Sequence, residues 1–260
     1  MIYLSHMAKT KSPYLSVIIP CYNEMANLER GVLDHVVEFF DRKKFPYEII
    51  IAEDGSTDES RTFVDAFSKK HPQVRILHNK HIGKAGGVTM GMIESKGEVA
   101  MFTDMDQATP IEEFDKLITF LSKGYDVVIG SRSGERKGAP LTRQILAKGM
   151  IILRTLIAGF KGVSDTQCGF KMFSNEATHV LFPKMSELHD GYSPVSGANV
   201  SAGFDVELLF LAQHKGYKIK EVPVTWHHVE THRVNFVKDA IDSVLYLIRI
   251  RMNQLRGIYK

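Results

Sequence analysis

Asp104-Met105-Asp106 is the set of residues on which chemistry can be built. It closes an apolar run, Val99 to Thr103, that reads as a buried parallel strand. Carboxylates at i and i+2 of an extended backbone project to one side, about 6.6 Å apart at Cα, and so can share one divalent cation. Mg²⁺ is commonly held by one or two carboxylates together with substrate phosphates. The carboxyl end of a strand in an open α/β sheet is also where ligands bind. The chemistry indicated is a metal clamp for a diphosphate. The plain alternative is a pair of solvated loop acids.

Three further segments share that setting. Pro20-Cys21-Tyr22-Asn23-Glu24 follows a first strand, and Glu53-Asp54-Gly55-Ser56-Thr57-Asp58 follows a second. Gly83-Lys84-Ala85-Gly86-Gly87 precedes a helix. Asp54 can accept a hydrogen bond from a ring N–H, Lys84 can offset phosphate charge, and Gly86 and Gly87 let backbone approach a ligand. Singly, each reads equally well as a turn, a helix cap or a tight bend. Together, at the ends of successive strands, they converge on one sheet edge.

The elements that must position these residues alternate. Leu15–Ile19 is a strand stopped by Pro20, and Leu28, Val32, Val36 and Phe40 form a helical stripe. Strands follow at 47–52, 74–77, 99–103 and 127–129. Helices are expected from Asp58 to Lys70, after Gly87, and from a capping box at Thr109, Pro110 and Glu112. This order implies an α/β fold with a mostly parallel, doubly wound sheet. Later, 169–173 and 217–224 read as strands and 142–160, 204–214 and 234–255 as helices. The 142–160 helix is apolar with interleaved cations. The last helix carries a stripe of Val237, Ile241, Val244, Leu245 and Ile248 with Arg249, Arg251 and Arg256 near its end. Either helix suits a lipid interface; the alternatives are burial against the sheet or a partner subunit for the first and packing on the sheet for the last.

The 260 residues suffice for one large domain, and 44% hydrophobic and 24% charged residues are ordinary for a globular protein. A net charge of +3 gives no reason to expect a nucleic-acid partner. Cys21 and Cys168 have no metal-ligand spacing and fit a reduced, cytosolic compartment. No apolar run is long enough to span a membrane. Residues 1–12 lack periodicity, and Ser5-His6-Met7 resembles a vector remnant; residues 13–260 are expected to form a single domain.

These motifs resemble the inverting GT-A glycosyltransferases of the family that includes the polyprenyl-phosphate sugar transferases. Ser131-Arg132, Arg143, Asp165-Thr166-Gln167-Cys168-Gly169-Phe170-Lys171 and Gly203-Phe204-Asp205-Val206-Glu207 are similar to the dolichyl-phosphate glucosyltransferase subgroup. The resemblance implies a Rossmann-like GT-A domain, with donor binding over about 13–130 and acceptor binding over about 131–260. It implies a nucleotide-sugar donor, UDP-glucose first, and a polyprenyl-phosphate acceptor at the cytoplasmic face of a membrane. Pro20, Tyr22, Glu24, Asp54, Lys84 and Met105 would surround the nucleotide, with Asp104 and Asp106 holding Mg²⁺ or Mn²⁺. Arg132 and Arg143 would receive the acceptor phosphate, Asp165 would lie near sugar or acceptor, and Arg233 would reach the diphosphate. Ala108, where mannosyl relatives place Gln, favours the glucosyl subgroup. A homo-oligomer is compatible with all of this.

Rival readings stay distinct. A sugar nucleotidyltransferase would carry a Gly-rich basic loop after the first strand, where this chain has Pro-Cys-Tyr-Asn-Glu. A glycosyltransferase acting on a hydroxyl would need a general base. A binding module would hold donor without turnover. His227, His228 and His232 read as loop histidines, without a third metal ligand at suitable spacing. Asp205 and Glu207 suit a helix N-terminus, and one of them could support a sugar hydroxyl.

Overall fold

A computed structural model of the chain describes residues 12–132, 162–195, 203–227 and 236–260, with isolated positions (149, 155, 157 and 159) between 133 and 161 and the backbone alone over 236–243. Residues 1–11 of the expected 1–12 tail, most of the 142–160 helix, Arg143, His228, His232 and Arg233 lie outside the described residues.

Seven strands form one sheet. In chain order they are β1 (Leu15–Cys21), β2 (Tyr47–Glu53), β3 (Val74–His78), β4 (Val99–Thr103), β5 (Val127–Ser131), β6 (Phe170–Ser174) and β7 (Ile219–Pro223). Their spatial order is β3-β2-β1-β4-β6-β5-β7. All pairings are parallel except the two made by β6, which runs antiparallel between β4 and β5. The helices are α1 (Met25–Glu29), α2 (Val32–Asp41), α3 (Ser60–Lys70), α4 (Gly83–Ile93), α5 (Phe114–Leu121), α6 (Asn175–Leu188), α7 (Phe204–His214) and α8 (Phe236–Leu255).

The period-two alternation of β1 sorts the core into two layers. Leu15, Val17 and Ile19 pack with Val36, Phe40 and Phe114 on one face of the sheet. Ile18, with Ile50 and Phe102, faces Val88, Phe182, Leu208, Leu247 and Ile250 on the other. Both faces are therefore covered, as nearly continuous apolar strands require.

Several local expectations change. β1 continues through Pro20 to Cys21. Pairing of β1 with β4 ends at Ile18–Phe102, whereas pairing with β2 runs on to Cys21. The carbonyl of Cys21 accepts from Asp54 N–H at 2.9 Å on the β2 side. Pro20 therefore lacks its N–H on the side where no ladder remains, the position at which a strand tolerates proline. The stripe from Leu28 to Phe40 is buried but belongs to two helices, parted at Gly31 with φ 74°. The capping box at Thr109 does not form: Ile111–Glu113 is a 3₁₀ turn after Pro110, and Glu112 instead meets His35 at 2.8 Å. α6 was not legible, because Pro183 interrupts a weakly amphipathic stretch. Its start follows the rule all the same, with Ser174 Oγ accepting from Ala177 N–H.

Candidate active site

All the parallel strands end at one edge. So do Tyr22 after β1, Asp54 after β2, Asp104 after β4, Arg132 after β5 and Trp226 after β7. Antiparallel β6 begins at that edge, which brings the preceding Asp165–Gly169 loop there as well.

Asp104 to Gln107 is a turn, not an extension of β4. Gln107 N–H donates to the Asp104 carbonyl at 3.2 Å, with Gln107 at φ 51°. Asp106 Oδ1 accepts from Ala108 N–H at 2.9 Å, an Asx turn that holds the loop back on itself. Met105, expected beside the donor, is 2% exposed and anchors the turn in the core below, which leaves only its backbone facing the loop.

Lys84, in the first turn of α4, places Nζ 2.5 Å from Asp104 Oδ1. The buried Asp104 Oδ1 therefore has the Lys84 ammonium as its close partner. Burial opposes the Lys84 charge, yet Asp104, with Asp205 and Asp106, holds its pKa above the ordinary value. Burial, and then the neighbouring Asp104 charge, push Asp106 above the usual carboxylate range. Two neighbouring carboxylates, one held against an ammonium and the other raised by burial and by the first, fit a divalent cation, which would add a second positive charge and relieve their crowding. Asp104 and Asp106 are the residues that would hold it. Among the described residues no group of three or more acidic, His or Cys side chains is placed to hold a metal, so the pair would need phosphate oxygens to complete the shell.

The loop before β6 is built around this turn. A Cβ on Gly169 would fall 2.1 Å from Asp104 Oδ2, so glycine is what lets the two loops touch. Thr109 Oγ1 lies 3.7 Å from Cys168 Sγ, and His227 N–H donates to Ala108 at 2.7 Å. Arg30, not singled out from sequence, donates to the Asp106 carbonyl at 3.3 Å.

The nucleotide side is similarly braced. Asp54 is 3% exposed. Its Oδ1 accepts from Ile82 N–H at 2.7 Å and its Oδ2 from Gly83 N–H at 2.8 Å, while His81 Nδ1 lies 3.1 Å from Oδ2. Asp54 thus closes the entrance to α4, favoured by the positive end of that helix. Tyr22 stacks on His81 with centroids 4.2 Å apart. Glu24 Oε2 accepts from the Asn27 side-chain amide, and Glu24 N–H donates to Ser60 Oγ at 2.8 Å. The Gly83–Gly87 segment is the start of α4 itself rather than a loop before it. Gly86 and Gly87 are buried; a Cβ on Gly86 would strike the Ile82 side chain at 2.8 Å, so that glycine serves internal packing, whereas a Cβ on Gly87 would meet only ordinary contacts at 3.7 Å or more.

On the other flank Arg132 and Asp165 form a two-pronged ion pair. Nε donates to Oδ2 and Nη2 to Oδ1, both at 2.8 Å, and Arg132 N–H also reaches Oδ2 at 2.9 Å. Burial alone would raise the Asp165 pKa, but the Arg132 hydrogen bonds and charge draw it down to about 2. Glu221 accepts from Asp165 N–H at 2.8 Å, and Trp226 lies under the guanidinium at 5.7 Å. Lys171, fully buried, extends its ammonium 2.5 Å from Asp205 Oδ1. Asp205 therefore has a cation partner in addition to its place at the helix start.

A Rossmann-like sheet with paired acids, a lysine and an arginine at its carboxyl edge defines the GT-A class of glycosyltransferase. Solved structures share the fold. Mannosyl-3-phosphoglycerate synthase from Rubrobacter xylanophilus superposes with a TM-score of 0.65 at 13% identity, covering 94% of this chain and 74% of that one. Glucosyl-3-phosphoglycerate synthase from Mycobacterium tuberculosis, crystallised with Mn²⁺, UDP and glucosyl-3-phosphoglycerate, does so with a TM-score of 0.55 at 17% identity, covering 95% and 80%.

Residues 16–182 match the model of glycosyl transferase family 2, and the chain belongs to that family. Its relatives there include dolichyl-phosphate beta-glucosyltransferases. One from Trichomonas vaginalis is 34% identical over 92% of this chain and 72% of its own length, and one from Dictyostelium discoideum 32% identical over 98% and 80%.

Proposed function

We propose that the chain transfers glucose, with inversion, from UDP-glucose to a dolichyl or other polyprenyl phosphate, with Mg²⁺ or Mn²⁺ at Asp104 and Asp106. The observation that carries the reading is the Asp104–Asp106 turn packed against the Asp165–Lys171 string at Gly169. That contact supports reading the donor-side acids and the segment resembling the lipid-phosphate subgroup as one site. The names of the relatives support the acceptor and the sugar.

The acceptor phosphate is its own nucleophile, since a phosphomonoester has a second pKa of about 6. No general base is then required, unlike transfer to a hydroxyl. A phosphate oxygen forms the new bond to C1 as the C1–O bond to UDP breaks on the opposite face, so an α-linked donor gives a β-linked lipid. When bound, the cation supplies neutralisation of the departing diphosphate. Lys84 contributes a fixed positive charge on the same side. Asp165 holds the Arg132 guanidinium by two of its N–H groups, which orients the rest of the fork towards an incoming phosphate. Arg143 joins it in this reading, and Arg233 reaches the diphosphate. The lipid acceptor places the reaction at a membrane surface. Free, buried Cys21 and Cys168 suit its cytoplasmic side.

A panel of nucleotide sugars offered with a short polyprenyl phosphate, with and without Mn²⁺, tests this directly. Glucosylated lipid from UDP-glucose is the expected product. Transfer only to sugar hydroxyls would reject the acceptor, and a preference for GDP-mannose or UDP-GlcNAc would reject the donor.

A further inference from the structure

The last helix has two apolar faces, and the core uses one of them. Leu247 and Ile250 point into the second core layer and are buried. Leu245, Ile248, Met252 and Leu255 are 59%, 43%, 45% and 74% exposed. At 100° per residue these four fall within an arc of about 80° on the opposite side. Ile258, just past the helix, is exposed too. Arg249 and Arg256 flank the arc on one side and Arg251 on the other, all exposed. From Val244 to Lys260 there are four cations and no acid, although the whole chain nets only +3.

The helix is held firmly enough to present this face. Tyr246 donates to Glu207 at 2.7 Å and Tyr259 reaches the same carboxylate at 2.5 Å. A Cβ on Gly203 would fall 2.1 Å from the Tyr246 ring, so the last helix is in direct contact with the residue that opens α7. Glu207, weighed from sequence as a support for a sugar hydroxyl, is instead spent on this junction.

We propose that the outer face of α8 docks on an anionic phospholipid surface, with Leu245, Ile248, Met252 and Leu255 entering the interface and the flanking arginines meeting lipid phosphates. Apolar side chains bordered by Arg on the polar flanks are the composition of an interfacial helix. A second copy of the chain fits less well. A two-fold pairing of this face would bring arginines against arginines, and the stripe is too short for a coiled coil, which needs three or four heptads. The inference deepens the proposed function, since a lipid-phosphate acceptor lies in such a surface.

The test is co-sedimentation of the full chain with vesicles that contain no acceptor. Phosphatidylcholine alone is compared with phosphatidylcholine mixed with phosphatidylglycerol. Binding to the mixed vesicles, weakened by salt, is expected. Combined Arg249→Gln, Arg251→Gln and Arg256→Gln should weaken it by about 100-fold. Combined Ile248→Gln, Met252→Gln and Leu255→Gln should weaken it by about tenfold or more. Both variants should keep wild-type turnover of a short, detergent-dispersed acceptor. Equal vesicle binding by wild type and variants, or none by wild type, overturns the proposal. So does a wild-type dimer that the apolar variant converts to monomer while vesicle binding is unchanged. Because no acceptor is present in the vesicles, docking can fail while the acceptor reading stands, and the reverse.

Discussion

Asp104 is crowded from two sides. Lys84 leans on one oxygen and Gly169 clears room for the other. Gly169→Ala would force a Cβ into Asp104 Oδ2, so the carboxylate must rotate or the loop must move. We expect a folded protein with transfer reduced by about tenfold to 100-fold, in line with a catalytic group displaced by about 1 Å. Circular dichroism should be unchanged while the Mn²⁺ concentration for half-maximal rate rises; an unaltered Mn²⁺ requirement would show that Asp104 does not depend on this gap. Asp106→Asn removes the second charge without changing shape. Transfer should fall by about 100-fold or more, since several kcal/mol of charge stabilisation is at stake, with the melting temperature held or raised because burial already disfavours that charge. Near-normal turnover would take the cation out of the reaction. The acids were visible in the sequence from type and spacing. The turn they sit in was not: the strand pattern predicts an extended pair, and only the Asp106–Ala108 and Gln107–Asp104 hydrogen bonds define the loop.

Between elements, two buried carboxylates carry much of the architecture. Asp165 ties the end of β5 to the loop before β6 through Arg132. Its folded pKa of about 2 lies below the ordinary 3.8. A depressed carboxylate contributes its stability above 3.8 and loses it as pH falls through the folded value. The pair should therefore supply about 2 kcal/mol at neutral pH that disappears between pH 4 and pH 2. Urea unfolding of wild type and Asp165→Asn over that window should show the wild-type curve falling towards the variant's. Arg132→Ala leaves a buried charge unpaired and should cost about 3–5 kcal/mol at neutral pH. Glu207 gathers His189, Tyr246 and Tyr259 around one carboxylate, and their hydrogen bonds hold its pKa below the ordinary value against the opposing effect of burial. Glu207→Leu strands three polar groups and should cost about 3 kcal/mol or more. The loss should appear first as faster amide exchange over residues 244–255; uniform exchange across the chain would mean that the junction is not local. Acids at the start of a helix suggested a dipole role, and sequence offered no sign of partners 18, 39 and 52 residues away.

For the whole molecule, the decisive feature is the antiparallel β6 wedged between β4 and β5. It turns the Asp165–Gly169 loop back to the edge where the Tyr22, Asp54 and Asp104 segments end, so a motif some 60 residues downstream lies against the Asp104–Asp106 turn. Removal of divalent cations with a chelator should therefore abolish donor use and acceptor transfer together, with recovery on adding Mn²⁺. Retention of transfer after exhaustive chelation would separate the two halves of the site and reject a shared metal.

The alternation of apolar strands and amphipathic helices determined the α/β class and the sheet edge at which the candidate residues gather, because hydrophobic period and chain connectivity are local properties that a sequence carries openly. It also exposed the acids, the lysine and the arginine as chemical types. What only tertiary structure decided is who faces whom: Lys84 on Asp104, Arg132 on Asp165, Asp54 turned inward to the α4 backbone, Glu207 given to the last helix. Those pairings join residues from about 20 to more than 50 positions apart, and each is settled by which loop's length and packing brings its charge out of water beside the other, a balance of desolvation against Coulomb attraction that no local pattern records.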